Sequence, residues 1–183
     1  MKDIRFLPFY LSCILFVFGC TPSQPSNAVE PQAVTPDWFE MELTDAQTGE
    51  TFTMNDYAGK VVLLETMAMW CPNCIVQANE VRKLHEALGN PDDLISVSLD
   101  VDINEDGESL GDYAGGYGFD WHFAVAPLEV ARELGNLYTA QYLNPPLSPM
   151  LIIDREGNVH HLEYGFKDAD TLKKAVEPYL AEK

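Results

Sequence analysis

Basic residues are scarce in this chain. Lys and Arg number 11 against 29 Asp and Glu, which leaves a formal charge of −18 and a pI near 4.3. Nucleic acid is a poor partner for such a surface, because phosphate recognition needs clustered Lys and Arg. The same charge repels an anionic membrane and favours solubility. Histidine is limited to His85, His122, His160 and His161. None stands at metal-ligand spacing from another, and a zinc site needs four ligands where one Cys-x-x-Cys supplies two. Internal repeats are absent. The glycine-rich Gly115-Gly116-Tyr117-Gly118 lacks the Lys and Ser or Thr of a phosphate loop. Asp102-Ile103-Asn104-Glu105-Asp106-Gly107 matches the start of a calcium loop, but its twelfth position is Tyr113 where that loop needs a bidentate Glu. A turn and helix cap account better for these residues.

A 46% hydrophobic content, with aromatics throughout, is enough for one sizeable core, and 183 residues fit one domain with extras. The extras lie at the N-terminus. Lys2 and Arg5 precede an apolar stretch over residues 6–18 that is short for a membrane span, which wants ~20 residues. It ends on Val17-Phe18-Gly19-Cys20, a junction that resembles a bacterial lipobox, where signal peptidase cuts before a cysteine that then carries lipid. An ordinary signal peptide and an uncleaved anchor are the alternatives. The expected organisation is a lipoprotein signal peptide over 1–19, a lipidated Cys20 with a Pro-rich tether over 20–36, and a domain over 37–183. Cysteine is sparse too, at positions 13, 20, 71 and 74. Cleavage removes Cys13 and lipid occupies Cys20, so only Cys71 and Cys74 remain as free thiols.

In the domain, residues 39–43 and 51–53 read as short strands around a turn. Residues 61–66 form a nearly continuous apolar run, which suits a strand covered on both faces. Ile75, Ala78, Val81, Leu84 and Leu88 recur at helical spacing over 72–88, and Gly89-Asn90-Pro91 stops that helix. Residues 94–100 read as a strand and 108–117 as a glycine-weakened helix, while 121–125 are short and extended. Helical segments over 127–134 and 137–142 are split at Gly135. Residues 150–153 and 159–164 form a hairpin, and 170–180 a closing helix with an end or kink expected near 175–177, ahead of Pro178. The order β-β-β-α-β-α-(α)-β-β-α predicts an α/β fold with a mixed central sheet flanked by helices on both faces.

Trp70-Cys71-Pro72-Asn73-Cys74 follows the apolar run directly, so the cysteine pair falls where a buried strand turns into a helix. A thiolate at a helix N-terminus faces unpaired N–H groups and the positive end of the macrodipole; its pKa falls and it becomes a nucleophile. A second thiol can then attack the mixed disulfide and release the product. Cys71 is expected to be the more exposed thiol and the nucleophile, and Cys74 the resolving one.

Gly59-Lys60-Val61-Val62-Leu63-Leu64 running into the Trp-Cys-x-x-Cys resembles the active-site strand of thioredoxin-fold proteins, most closely the membrane-anchored, extracytoplasmic TlpA- and ResA-like thiol–disulfide oxidoreductases. The resemblance covers about residues 38–180. It implies a thioredoxin-like fold with no cofactor and no metal. The implied activity is exchange with extracytoplasmic protein thiols or disulfides, as a reductant rather than an oxidant. A membrane thiol carrier would supply the electrons, and a lipid anchor would hold the domain outside the cytoplasm. Glu65, six residues before Cys71, stands where the family often carries a buried polar residue, and a carboxylate there can take the proton of Cys74. The alternative is a carboxylate that reaches solvent at the strand edge. Ser148-Pro149 stands where the family places a cis-proline facing the cysteines, with a backbone that pairs with an extended substrate. The alternative is a proline that merely starts a strand. Trp70 is expected to cover the cysteines as an apolar lid; a packed core Trp is the alternative.

The chain departs from the family at Thr66-Met67-Ala68, where Phe-Trp-Ala is common. A peroxidase of the peroxiredoxin type is disfavoured, because Leu64 and Ala68 stand where that chemistry needs Pro and Thr. A different class is a Cu(I)-binding metallochaperone, since Met67 and Met69 lie beside Cys71 and Cys74 and soft sulfur ligands select Cu(I).

Overall fold

The structure is a computed structural model that describes residues 35–182; the signal segment, Cys20 and nearly all of the tether lie outside the described residues. The domain opens on a 3-10 turn, Asp37–Glu40, that buries Trp38 and Phe39. A two-stranded antiparallel ribbon follows, β1 (Leu43–Thr44) and β2 (Thr51–Phe52). The strand expected over 39–43 therefore forms only at its end: the aromatic pair packs better from a turn that drops both rings into the core. Next come β3 (Val61–Met67), α1 (Pro72–Leu88), β4 (Leu94–Asp100), α2 (Gly107–Tyr117) and β5 (His122–Val125). The chain closes with α3 (Leu128–Tyr138), β6 (Met150–Ile153), β7 (Val159–His161) and α4 (Ala169–Ala181).

Five strands form one sheet in the order β5-β4-β3-β6-β7. β3 lies at its centre, parallel to β4 and antiparallel to β6, and β4 is parallel to β5. The short extended segment at 121–125 is thus a full edge strand. All seven residues of β3 are buried, as its apolar run requires. Alternate side chains divide between two cores. Val61, Leu63 and Met67 join Cys71, Cys74, Val81 and Leu84 of the α1 region, Leu110 of α2, and Leu172 and Val176 of α4. Val62 and Leu64 join Trp38, Phe39, Val130 and Leu134 on the opposite face. Burying each such side chain contributes about 1.5–3 kcal/mol. The fold is thioredoxin-like, with helices on both faces as expected.

Neither the expected helix end before Pro178 nor the expected split at Gly135 forms. α4 continues through Pro178 to Ala181. Pro178 and Lys174, whose carbonyl loses its helical donor, are both exposed, so that oxygen can turn to water. α3 likewise continues through Gly135 and ends at Thr139, where φ is 112°. Gly135 serves close approach instead of a break: a Cβ there would lie 3.1 Å from Leu143 Cδ1.

Two glycines of α2 make a paired test. A Cβ on Gly111 would collide with the Ala46 carbonyl oxygen in the β1–β2 turn, whereas one on Gly115 meets nothing within 4 Å. Gly115→Ala is expected to stabilise the domain by about 0.5–1 kcal/mol, the usual helical gain. Gly111→Ala is expected to destabilise it by about 1–3 kcal/mol, because backbone must move. Urea unfolding midpoints of both variants check this.

Candidate active site

After β3 the chain turns through Ala68 to Trp70, and Cys71 N donates to Ala68 O at 3.0 Å to close the turn. Cys71 is the N-cap of α1 (φ −85°, ψ 110°), and Pro72 occupies the first helical turn, where no N–H donor is missed. The Cys71 sulfur accepts the Cys74 N–H at 3.3 Å, which places it on the positive end of the helix. Cys71 and Cys74 form a disulfide with their Cα atoms 5.4 Å apart. The expected difference in exposure is not there: Cys71 is 1% and Cys74 3% exposed. Sγ of Cys74 lies 3.6 Å from the Pro145 carbonyl oxygen, which can accept its thiol proton once the bond is reduced.

Glu65 is buried, on the β3 face that carries Val61, Leu63 and Met67 and therefore the disulfide. It does not reach solvent. Ser98 Oγ on β4 donates to its Oε1 at 2.6 Å, and Trp121 Nε1 donates in turn to Ser98 Oγ at 2.9 Å. Burial pushes the Glu65 carboxyl up to about 7, against the lowering effect of the Ser98 hydrogen bond and the Lys167 charge. Tyr113 from α2 keeps a buried hydroxyl with no hydrogen-bond partner, and burial pushes it up to about 12.

Pro149 is buried, and its carbonyl accepts Thr66 N at 3.1 Å, extending the β3–β6 ladder. No peptide bond among the described residues is cis, so the cis Pro149 implied by resemblance is not formed. The turn into β6 is made instead by Ser148, in the left-handed region at φ 45° and ψ 56°. Lys167 Nζ holds that turn, donating to Ser148 O at 2.9 Å and to Gly165 O at 2.5 Å.

Trp70 is 56% exposed, so it is no packed core residue. It stands in the wall of a cleft of about 200 Å³ with Val101, Asp102, Ile103, Leu143 and Pro145. Its indole N–H donates to Asp102 Oδ2 at 2.7 Å, and Glu105 Oε2 accepts Met69 N at 2.7 Å. Both carboxylates belong to the segment read as a turn and cap; Asp106 caps α2 by accepting Ser109 N. Asp100, at the base of this loop, accepts Asp102 N at 2.9 Å. Its other oxygen has no donor, and burial together with Glu105 pushes its carboxyl up to about 8. A proton on Asp100 can then bridge to Glu105. The sequence places Asp102 and Glu105 some thirty residues from the cysteines, and only their carboxylate character hinted at a role. Lys167 left no signal at all. Of the two methionines beside the motif, Met67 is buried in the core and Met69 partly buried against it.

A Cys-x-x-Cys disulfide at a helix N-terminus, beside the central strand of a thioredoxin-like sheet, is the constellation of a thiol–disulfide oxidoreductase. The chain belongs to the redoxin family, whose profile, described as Redoxin, matches residues 25–177. No curated protein sequence matches the chain. Among solved structures it is similar to a thiol:disulfide interchange protein of the thioredoxin family from Chlorobium tepidum, at 18% identity and TM-score 0.64, covering 77% of this chain and 93% of that one. A secreted disulfide oxidoreductase of Mycobacterium tuberculosis aligns at 16% identity and TM-score 0.58, over 76% and 96%. An exposed lipoprotein thioredoxin of Streptococcus pneumoniae aligns at 21% and 0.57, over 75% and 98%. These likenesses concern the fold.

Glu65 also makes a stability test. Its folded pKa lies above its unfolded one, so the fold holds the proton more tightly than the open chain. That contribution is complete below about pH 4.5 and is lost as pH rises through about 7. Glu65→Gln removes the loss. The variant is expected to match the parent near pH 4.5 and to exceed it at pH 8.5 by up to about 3 kcal/mol. Denaturant titrations at the two pH values check this.

Proposed function

We propose that this protein is an extracytoplasmic thiol–disulfide oxidoreductase that works as a reductant of protein disulfides. The observation that carries the reading is the Cys71–Cys74 disulfide at the N-terminus of α1, over the same buried face that holds Glu65. In the dithiol form the Cys71 thiolate, stabilised by the helix terminus, attacks a substrate disulfide; one Cys71–substrate bond forms and one substrate thiolate leaves. Cys74 then gives its proton to the Glu65 carboxylate and attacks Sγ of Cys71. The Cys71–Cys74 bond forms, the Cys71–substrate bond breaks, and the second substrate sulfur leaves as a thiolate that takes up a proton. Two electrons pass from the pair to the substrate, and a membrane thiol carrier restores them.

The exposed Trp70 stands on the substrate-facing rim, and the buried Ser148 and Pro149 back it with a turn whose backbone groups are already bonded to Pro145, Lys167 and Thr66. Residues 1–19 act as a lipoprotein signal peptide and 20–36 as a lipidated tether, which places the domain at the outer side of the cell membrane. The apolar stretch ending on Gly19-Cys20 supports this, and a secreted disulfide oxidoreductase and an exposed lipoprotein thioredoxin share the fold. No helix among the described residues is long and apolar enough to cross a membrane. Burial of Met67 in the core removes one of the two thioethers that a Cu(I) site would draw on.

Cys71→Ser is expected to abolish exchange, and Cys74→Ser to accumulate mixed disulfides through Cys71. Iodoacetamide at neutral pH is expected to label Cys71 first in the reduced domain; faster labelling of Cys74 contradicts the assignment. Glu65→Gln is expected to slow release from a Cys71 mixed disulfide by about 100-fold, read by rapid mixing from pH 6 to 9. Equal rates and pH profiles remove Glu65 from the mechanism. Cys20→Ser is expected to shift the protein from the detergent phase to a soluble or uncleaved form, read by phase partitioning; unchanged processing and partitioning contradict the anchor.

A further inference from the structure

Lys167 is a lysine in an unusual place. It is 6% exposed, in the segment between β7 and α4. Its backbone is fixed to α1 by a reciprocal pair of bonds: Lys167 N donates to Gln77 Oε1, and Gln77 Nε2 donates to Lys167 O, both at 2.9 Å. Gln77 is itself fully buried, three residues beyond Cys74. The side chain is thereby aimed inward, where its ammonium meets the carbonyls of Ser148 and Gly165 and no carboxylate within hydrogen-bond distance. A buried ammonium held by neutral acceptors alone is costly and has to be offset by charge. Glu65 stands close by in the sheet, paired with Met150 of β6, two residues beyond the Ser148 carbonyl that Lys167 grips. Burial lowers the Lys167 ammonium to about 8, and the Glu65 charge opposes that.

We propose that Lys167 is a positioning residue for disulfide resolution, whose ammonium ties the charge on Glu65 to the left-handed Ser148 turn that leads into β6. This rests on the proton-acceptor reading of Glu65. When Glu65 is ionised and ready to take the Cys74 proton, the cation it favours is the one gripping the Ser148 carbonyl. When Glu65 takes the proton, the attraction weakens and the grip on Ser148 loosens as product leaves. The left-handed conformation of a serine costs about 1–3 kcal/mol, so a change in that grip is felt at Ser148. The other titratable groups around the two charges are the Tyr113 phenol of α2, Asp100 at the end of β4, Glu105 in the next loop and the two thiols. Neither Ser98 nor Trp121, which contact Glu65 directly or through one bond, carries a charge.

The test uses the full-length chain with Lys167→Met, Lys167→Arg, Glu65→Gln and the Glu65→Gln/Lys167→Met double variant. Release from a Cys71 mixed disulfide is followed by rapid mixing against pH, and the Glu65 carboxyl carbon is titrated by NMR. Loss of the cation leaves Glu65 harder to ionise, so the acid limb of the profile and the carboxyl titration are both expected to move up by about one pH unit in Lys167→Met. Lys167→Arg is expected to restore the parental midpoint, and the double variant to behave as Glu65→Gln alone. In the parent, the carboxyl carbon is expected to report a second inflection as Lys167 titrates, which decides the matter even if Lys167→Met does not fold. An unmoved midpoint in folded Lys167→Met, a shift that persists in the double variant, or a single-step parental titration overturns the proposal. If Glu65→Gln leaves release unchanged, the proton-acceptor reading fails and the kinetic part of this proposal falls with it; the NMR titrations report the charge coupling separately.

Discussion

Glu65 is the one charged side chain of the buried strand β3 at the centre of the sheet, and burial there works against its charge. A carboxyl group in that position needs a donor, which Ser98 provides, and a counter-charge, which Lys167 provides without touching it. Each of these partners is fixed by a further contact: Ser98 by the Trp121 indole, Lys167 by Gln77 of α1. The sheet, the helix that carries the cysteines and the segment before α4 are thus joined around one proton. That is a costly arrangement for stability, and it fits the proton-acceptor role proposed above for Glu65.

A second set of carboxylates works at the surface of the same site. Asp102 holds the Trp70 indole and Glu105 holds Met69 N, so the residues immediately before Cys71 hang from the loop after β4. Asp100 sits beneath, with burial and Glu105 favouring its protonated form. The loop therefore fixes the entry to α1, while Lys167 separately holds the Ser148 turn that leads into β6.

Much of this was legible in the sequence. The strand 94–100 and the helix 72–88 match their structural bounds, because each has an unbroken apolar pattern and a clear stop. For Glu65 the apolar run left two readings open, a buried carboxylate and one reaching solvent, and the structure shows the buried one. Three of the misreadings share a cause. Residues 39–43, Gly135 and Pro178 were judged on local propensity, and tertiary surroundings decided otherwise: a core that takes two aromatics from a turn, a Leu143 side chain that needs room, a carbonyl that can face water. Lys167, Asp102 and Glu105 were not legible as site residues, because their roles exist only once segments distant in the chain meet.

The account depends most on the disulfide being an exchange pair and not a structural brace. The reduction potential of the Cys71–Cys74 couple tests this directly, by equilibration with glutathione or thioredoxin buffers. Exchange proteins of this fold span about −120 to −270 mV, whereas structural disulfides lie below about −300 mV. The account predicts a reversible two-electron couple toward the reducing end, near about −270 mV. A potential below about −300 mV, with no exchange at equilibrium, contradicts it.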